Sequence, residues 1–116
     1  MQDWYITVVS PNLPDVDDDS FEKIVMRSSR PVLVDFWSPR CAPCYALAHE
    51  LEKLSAEVGD RLLIVKINVD ENPRVRGEFE IVHLPALGLF EKGEFIRFIG
   101  GLGRKDAIKA ALGLDG

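Results

Sequence analysis

Two cysteines, two histidines and no excess of positive charge leave this 116-residue chain few ways to act. At most four soft or borderline metal ligands are present, so a closed tetrahedral zinc site would need all of them together. With 14 basic against 19 acidic side chains the net charge is -5, the wrong sign for a surface that neutralises phosphates. Nucleic acid and membrane are therefore not expected partners. The apolar stretch from Trp4 to Val9 has no basic residues before it and is too short for a signal peptide or a membrane span. A cytoplasmic location is the expectation. In such a reducing compartment two cysteines are not expected to form a permanent structural bridge, so any pairing is expected to be chemistry. There is no internal repeat, and no Gly, Ser or Pro run is long enough to be a linker.

What remains is enough for one domain. The length fits a single unit of roughly 100 to 150 residues, and 47% hydrophobic with 28% charged residues suffices for a core. Residues 1–12 are expected to be an N-terminal extension in which Trp4–Val9 form an extra strand, ended by Ser10, Pro11, Asn12 and Pro14. Intramolecular packing of that strand, and a monomer, are expected. Residues 13–116 form the domain proper. Asp19 or Ser20 can cap a helix through Phe21, Ile24 and Val25, and the acidic run Asp15–Asp19 suits its N-terminus.

Residues 31–37, Pro-Val-Leu-Val-Asp-Phe-Trp, have the continuous apolar character of a strand buried on both faces, interrupted by the lone acid Asp35. A helical pattern then runs through Leu47, Leu51, Leu54 and Val58 to Gly59. The next strand, Leu62–Val69, carries the lone base Lys66. Strand, helix and strand make a parallel, right-handed βαβ unit. A helical turn near Asn72–Phe79 leads to His83-Leu84-Pro85. Strands 86–91 and 94–99 then join through Lys92-Gly93 at hairpin spacing, and a last amphipathic helix spans 104–112, with Ala107, Ile108, Ala111 and Leu112 on one face. The expected fold class is α/β: three layers, α/β/α, around a central mixed sheet.

The chemistry centres on Cys41-Ala42-Pro43-Cys44, just past the carboxyl end of a central strand, where open α/β sheets carry their sites. Residues three apart on a helix have Cβ atoms about 5 to 6 Å apart, close to disulfide reach. Pro43 fits the first helical turn, where it gives up no needed hydrogen bond. Cys41 then faces the unpaired amides of the helix start, a setting that lowers a thiol from about 8.5 to between roughly 3.5 and 7.5. Three alternatives are open: half of a zinc site, a pair of inert small hydrophobes, or a redox pair. Against zinc, the five-residue step from Cys44 to His49 turns about 140° around a helix. Against inertness stand the Pro between the cysteines and the preceding buried strand.

Several separated motifs resemble the thioredoxin family over roughly residues 13–112. They are Asp35-Phe36-Trp37, Cys41-Ala42-Pro43-Cys44, Lys66, Leu84-Pro85 and Gly100. The resemblance implies a thioredoxin fold and a thiol–disulfide oxidoreductase that reduces protein disulfides, with no bound cofactor and no metal. Its partners would be disulfide-containing proteins and a thioredoxin reductase or equivalent dithiol donor. Cys41 would be the nucleophile, Cys44 the resolving thiol, Asp35 the proton acceptor with its pKa raised by burial, and Lys66 the residue that tunes Asp35. Trp37, Arg40, Ala42, Pro43, His83, Leu84, Pro85 and Gly100 would form the substrate-binding surface, with Pro85 as the family's cis-proline.

The departures bear on which redox role is played. Arg40 stands where the family usually has Trp, and a cation there is expected to stabilise the Cys41 thiolate and make the protein more oxidising. Ala42 replaces a Gly, which stiffens the helix start. His49 replaces a kinking Pro and His83 a small Gly. The alternatives to a reductase are a specialised oxidant or isomerase-like variant, and a thioredoxin-fold module that only docks a partner.

Overall fold

The structure, a computed structural model, describes residues 13–100 and 103–114. The expected strand at Trp4–Val9 lies outside the described residues. Among the described residues four strands form one sheet in the order β2-β1-β3-β4. The central strand β1 (Val32–Trp37) runs parallel to β2 (Leu63–Asn68) and antiparallel to β3 (Ala86–Glu91), and β3 pairs antiparallel with β4 (Glu94–Phe98). Helix α1 (Ala42–Val58) makes the crossover, with α2 (Pro73–Glu78) before β3 and α3 (Lys105–Ala111) after β4. The sheet is mixed, as the βαβ and hairpin signals require. At the hairpin tip Lys92 and Gly93 both take positive φ, 52° and 81°, the geometry a two-residue turn demands.

Period-two alternation on β1 divides the core in two. Leu33 joins Leu47, Leu51, Leu54, Ile64, Leu87 and Ile108 on the side of α1 and α3. Val32, Val34 and Phe36 join Phe21, Val25, Val75 and Phe90 on the side of α2. Burying each such side chain is worth about 1.5 to 3 kcal/mol, so β1 is anchored from both faces. On α3 only Ile108 is buried, whereas Ala107 and Ala111 are exposed, so the apolar face is narrower than the sequence pattern suggests.

The acidic run does more than cap one helix. The first helix is a single π-helical turn, Glu22–Met26, closed by Arg27 N–H donating to Glu22 O at 3.0 Å. Its entry is organised by Asp17, not by Asp19 or Ser20 alone. Ser20 N–H donates to Asp17 Oδ1 at 2.8 Å and Asp17 N–H to Ser20 Oγ at 3.0 Å, a reciprocal box of the kind that closes helix starts. These bonds hold the Asp17 carboxyl below its ordinary value. Asp18 reaches across the fold, accepting from Arg74 and Val75 N–H at 3.0 and 2.9 Å, and so caps α2. Capping from 56 positions away leaves no trace in local sequence.

Candidate active site

The start of α1 forms because Cys41 is extended (φ -97°, ψ 101°) and Pro43 occupies the first turn. Cys41 makes no side-chain capping bond, so no side chain of its own occupies the first-turn amides. Cys41 and Cys44 are joined as a disulfide with Cα atoms 5.4 Å apart. Cys41 is half-buried and Cys44 is 1% exposed, so the first cysteine is partly open to solvent while the second is shielded. This asymmetry suits an attacking and a resolving thiol.

Asp35 lies on the face of β1 that α1 covers, is 1% exposed, and its Oδ1 has no hydrogen-bond partner among the described residues. Loss of hydration pushes its carboxyl up to about 7, against the opposing pull of the Lys66 charge. Lys66 stands in register with Asp35 on β2. Its ammonium bonds elsewhere: Nζ donates to Asp15 Oδ1 at 2.6 Å and lies 5.5 Å from the centre of the Trp37 ring. Trp37 also meets Tyr45 edge-on at 6.4 Å between ring centres, and Tyr45 Oη donates to Pro39 O at 2.7 Å. The indole thus braces the loop ahead of the cysteines, while its own Nε1 is buried with no partner among the described residues.

Arg40 does not present a free cation to Cys41. Its Nε and Nη2 donate to the two oxygens of Asp70 at 3.2 and 3.0 Å, a fork on a carboxylate. Ser38 Oγ donates to Asp70 Oδ2 at 2.7 Å and accepts from Arg40 N–H at 3.1 Å. The Arg40 and Ser38 bonds hold the Asp70 carboxyl below the usual carboxylate range, and Asp70 in turn raises Arg40. The expectation that Arg40 acts on the thiolate meets a guanidinium already matched by an opposite charge.

The Leu84–Pro85 peptide bond is cis. Pro85, exposed His83, Val82, Phe98 and Ile99 line a cavity of about 230 Å³. Leu84 packs against the α2-side core. Ala42 and Pro43 are exposed at the helix start. Gly100 follows directly on Ile99, and a Cβ built there would meet nothing within 4 Å among the described residues. His49 is exposed on an unbroken α1. Among the described residues no three or more His, Cys, Asp or Glu gather as a metal site.

A family profile for thioredoxin matches residues 12–113. The chain belongs to the thioredoxin family. It is 48% identical over 79 residues to a thioredoxin of Acidithiobacillus ferridurans, spanning 68% of this chain and 73% of that one. To a thioredoxin of Streptomyces clavuligerus it is 40% identical over 96 residues, 83% of this chain and 89% of the relative. A bifunctional thioredoxin reductase/thioredoxin of Mycobacterium leprae is 39% identical over 94 residues, covering 81% of this chain and 20% of that protein. Membership together with the Cys41–Cys44 pair makes the chain a thiol–disulfide oxidoreductase of the thioredoxin type.

Within that family frame, sequence reasoning missed Asp15 and Asp70. Asp15 is hidden in an acidic run that serves helix capping elsewhere, and Asp70 sits in an ordinary turn. The only sequence signal for either is the presence of a basic side chain with no local partner, Lys66 in a buried strand and Arg40 in an exposed loop.

Proposed function

We propose that this thioredoxin-family chain reduces disulfides of other proteins in the cytoplasm and is then re-reduced by a thioredoxin reductase or an equivalent dithiol donor. The observation that carries this reading is the Cys pair at the start of α1, with Cys41 half-buried and Cys44 shielded. The Cys41 thiolate attacks one sulfur of the target disulfide and the other sulfur leaves as a thiolate, giving a mixed disulfide. Cys44 passes its proton to Asp35 and attacks Cys41 Sγ. The bond to the target breaks, the target leaves with both sulfurs reduced, and the Cys41–Cys44 disulfide closes. Two electrons have passed to the target, and the cysteines themselves carry them, so no bound cofactor is required.

Asp35 suits the proton transfer because its carboxyl, held near 7, is matched to neutral pH. Lys66 moderates that value. Around the pair, Trp37, Arg40, Ala42, Pro43, His83, Leu84, Pro85 and Gly100 make the surface for an extended substrate segment, with Gly100 leaving room for its backbone. The chain acts as a monomer in this reading. The oxidant alternative rested on a free cation at Arg40, and the fork to Asp70 removes its main support.

The test is turnover of a generic protein disulfide with a thioredoxin reductase and with a dithiol, alongside a redox titration of the Cys pair. Turnover with a midpoint near the roughly -270 mV of thioredoxin supports the proposal. A folded protein that turns over with neither donor sinks it, and a midpoint well above about -230 mV assigns the protein to oxidation instead.

A further inference from the structure

Lys66 faces two carboxylates and bonds only one. Asp35 is its cross-strand neighbour in register on β1, on the same face of the sheet. No ion pair within 4.0 Å joins Lys66 to it, and Asp35 Oδ1 has no partner among the described residues. The ammonium is instead drawn to Asp15, whose side chain is 70% exposed while that of Lys66 is 10% exposed. Backbone bonds hold Asp15 in this position. Lys66 N–H donates to Pro14 O and Val16 N–H to Lys66 O, each at 2.9 Å, so the chain around Asp15 forms a one-residue parallel bridge on the outer edge of β2. Main chain and side chain of the same two residues are thus tied together.

We propose that Asp15 is a positioning residue for thiol–disulfide exchange, holding the Lys66 ammonium at the rim of the sheet so that it does not ion-pair with Asp35. The catalytic consequence rests on Asp35 acting as the proton acceptor of the preceding section. An unmatched cation within about 4 to 6 Å lowers a carboxyl strongly, whereas a cation in contact with a second carboxylate presents a weaker, dipolar field. Burial then dominates at Asp35, and the carboxyl stays near neutrality, where it can take up the Cys44 proton. Among the described residues, Lys66 is the one charged side chain that acts on Asp35. Leu87 of β3 lies opposite it in register, and the buried residues at the start of α1 are Cys44, Leu47, Ala48 and Leu51. Removing Asp15 frees the Lys66 charge to act on Asp35 and carries its titration to lower pH.

The experiment is a carbon-13 NMR titration of the Asp35 carboxyl in the oxidised full-length protein, for wild type, Asp15→Asn, Lys66→Met and the double variant. Asp15→Asn should lower the Asp35 midpoint by about 0.5 to 1, and Lys66→Met should raise it. In the Lys66→Met background Asp15→Asn should shift the midpoint by less than half as much, because the route through Lys66 is gone. An unchanged midpoint in Asp15→Asn, or an equal shift with and without Lys66, overturns the proposal; the latter would mean that Asp15 acts directly through space. Asp15→Ser repeats the test with a side chain too short to replace the Asn amide, and circular dichroism verifies folding. The titration needs no turnover, so its outcome is independent of whether the protein reduces disulfides.

Discussion

Asp35 and Lys66 stand opposite each other on parallel neighbouring strands, yet the lysine bonds Asp15 and the buried aspartate keeps an oxygen without a partner. An isolated buried carboxyl is costly in its charged form, and this one sits on the face covered by the helix that starts at the Cys pair. Its energetic cost and its chemical use arise from the same desolvation.

Asp35→Asn should therefore stabilise the fold and slow the chemistry. The native carboxyl titrates near 7 against an ordinary 3.8, so the unfolded chain loses its proton first as pH rises. Stability is fullest below about pH 4 and is lost progressively as pH climbs through about 7, by roughly 4 kcal/mol at 1.36 kcal/mol per pKa. Urea unfolding should show the variant more stable by about 2 to 4 kcal/mol at pH 8 and nearly unchanged at pH 4. Equal gains at both pH values would refute a raised Asp35 pKa.

Replacing either cysteine should divide the exchange into its halves. Cys41→Ser removes the sulfur of the half-buried cysteine and should abolish attack. Cys44→Ser leaves attack intact and should accumulate a mixed disulfide with a target protein, visible as a covalent adduct that dithiothreitol releases. An adduct forming through Cys44 in the Cys41→Ser variant would reverse the assigned roles.

Arg40→Gln tests whether the guanidinium acts on sulfur or on the loop. Because Asp70 already holds both arms of the fork, the midpoint potential should move by less than about 10 mV, a factor of about two in the exchange equilibrium. Amide hydrogen exchange around Ser38–Cys41 should instead accelerate, since Ser38, Arg40 and Asp70 lose their shared network. A shift of about 30 mV or more with unchanged exchange would place the charge at the thiolate.

Gly88 sits where aromatic rings crowd the sheet. A Cβ there would stand 3.1 Å from Phe36, 3.2 Å from Phe90 and 3.3 Å from Phe95. Gly88→Ala should cost about 1 to 3 kcal/mol by overpacking. Gly77→Ala in α2, where a Cβ meets nothing within 4 Å, should be neutral or stabilising by up to about 1 kcal/mol. Thermal unfolding of the two variants side by side distinguishes crowding from a general intolerance of added methyl groups.

The sequence by itself determined the parts that depend on neighbours along the chain. The βαβ unit follows from apolar runs at Val32–Trp37 and Leu63–Asn68 flanking a 3.6-periodic helix, the hairpin from Lys92-Gly93, and the redox pair from Cys41 and Cys44 one helical turn apart. Such signals are local because periodicity, turn geometry and helix starts are set by a few consecutive residues. Only the tertiary structure decided which charges meet. Lys66 finds Asp15 across 51 positions, Arg40 finds Asp70 across 30, and Asp18 caps a helix 56 positions on. Strand order and crossover bring these groups together. An ion pair or a cap depends on distance in space, for which sequence separation is no guide, and the unpartnered oxygen of Asp35 is visible only when all its neighbours are in place.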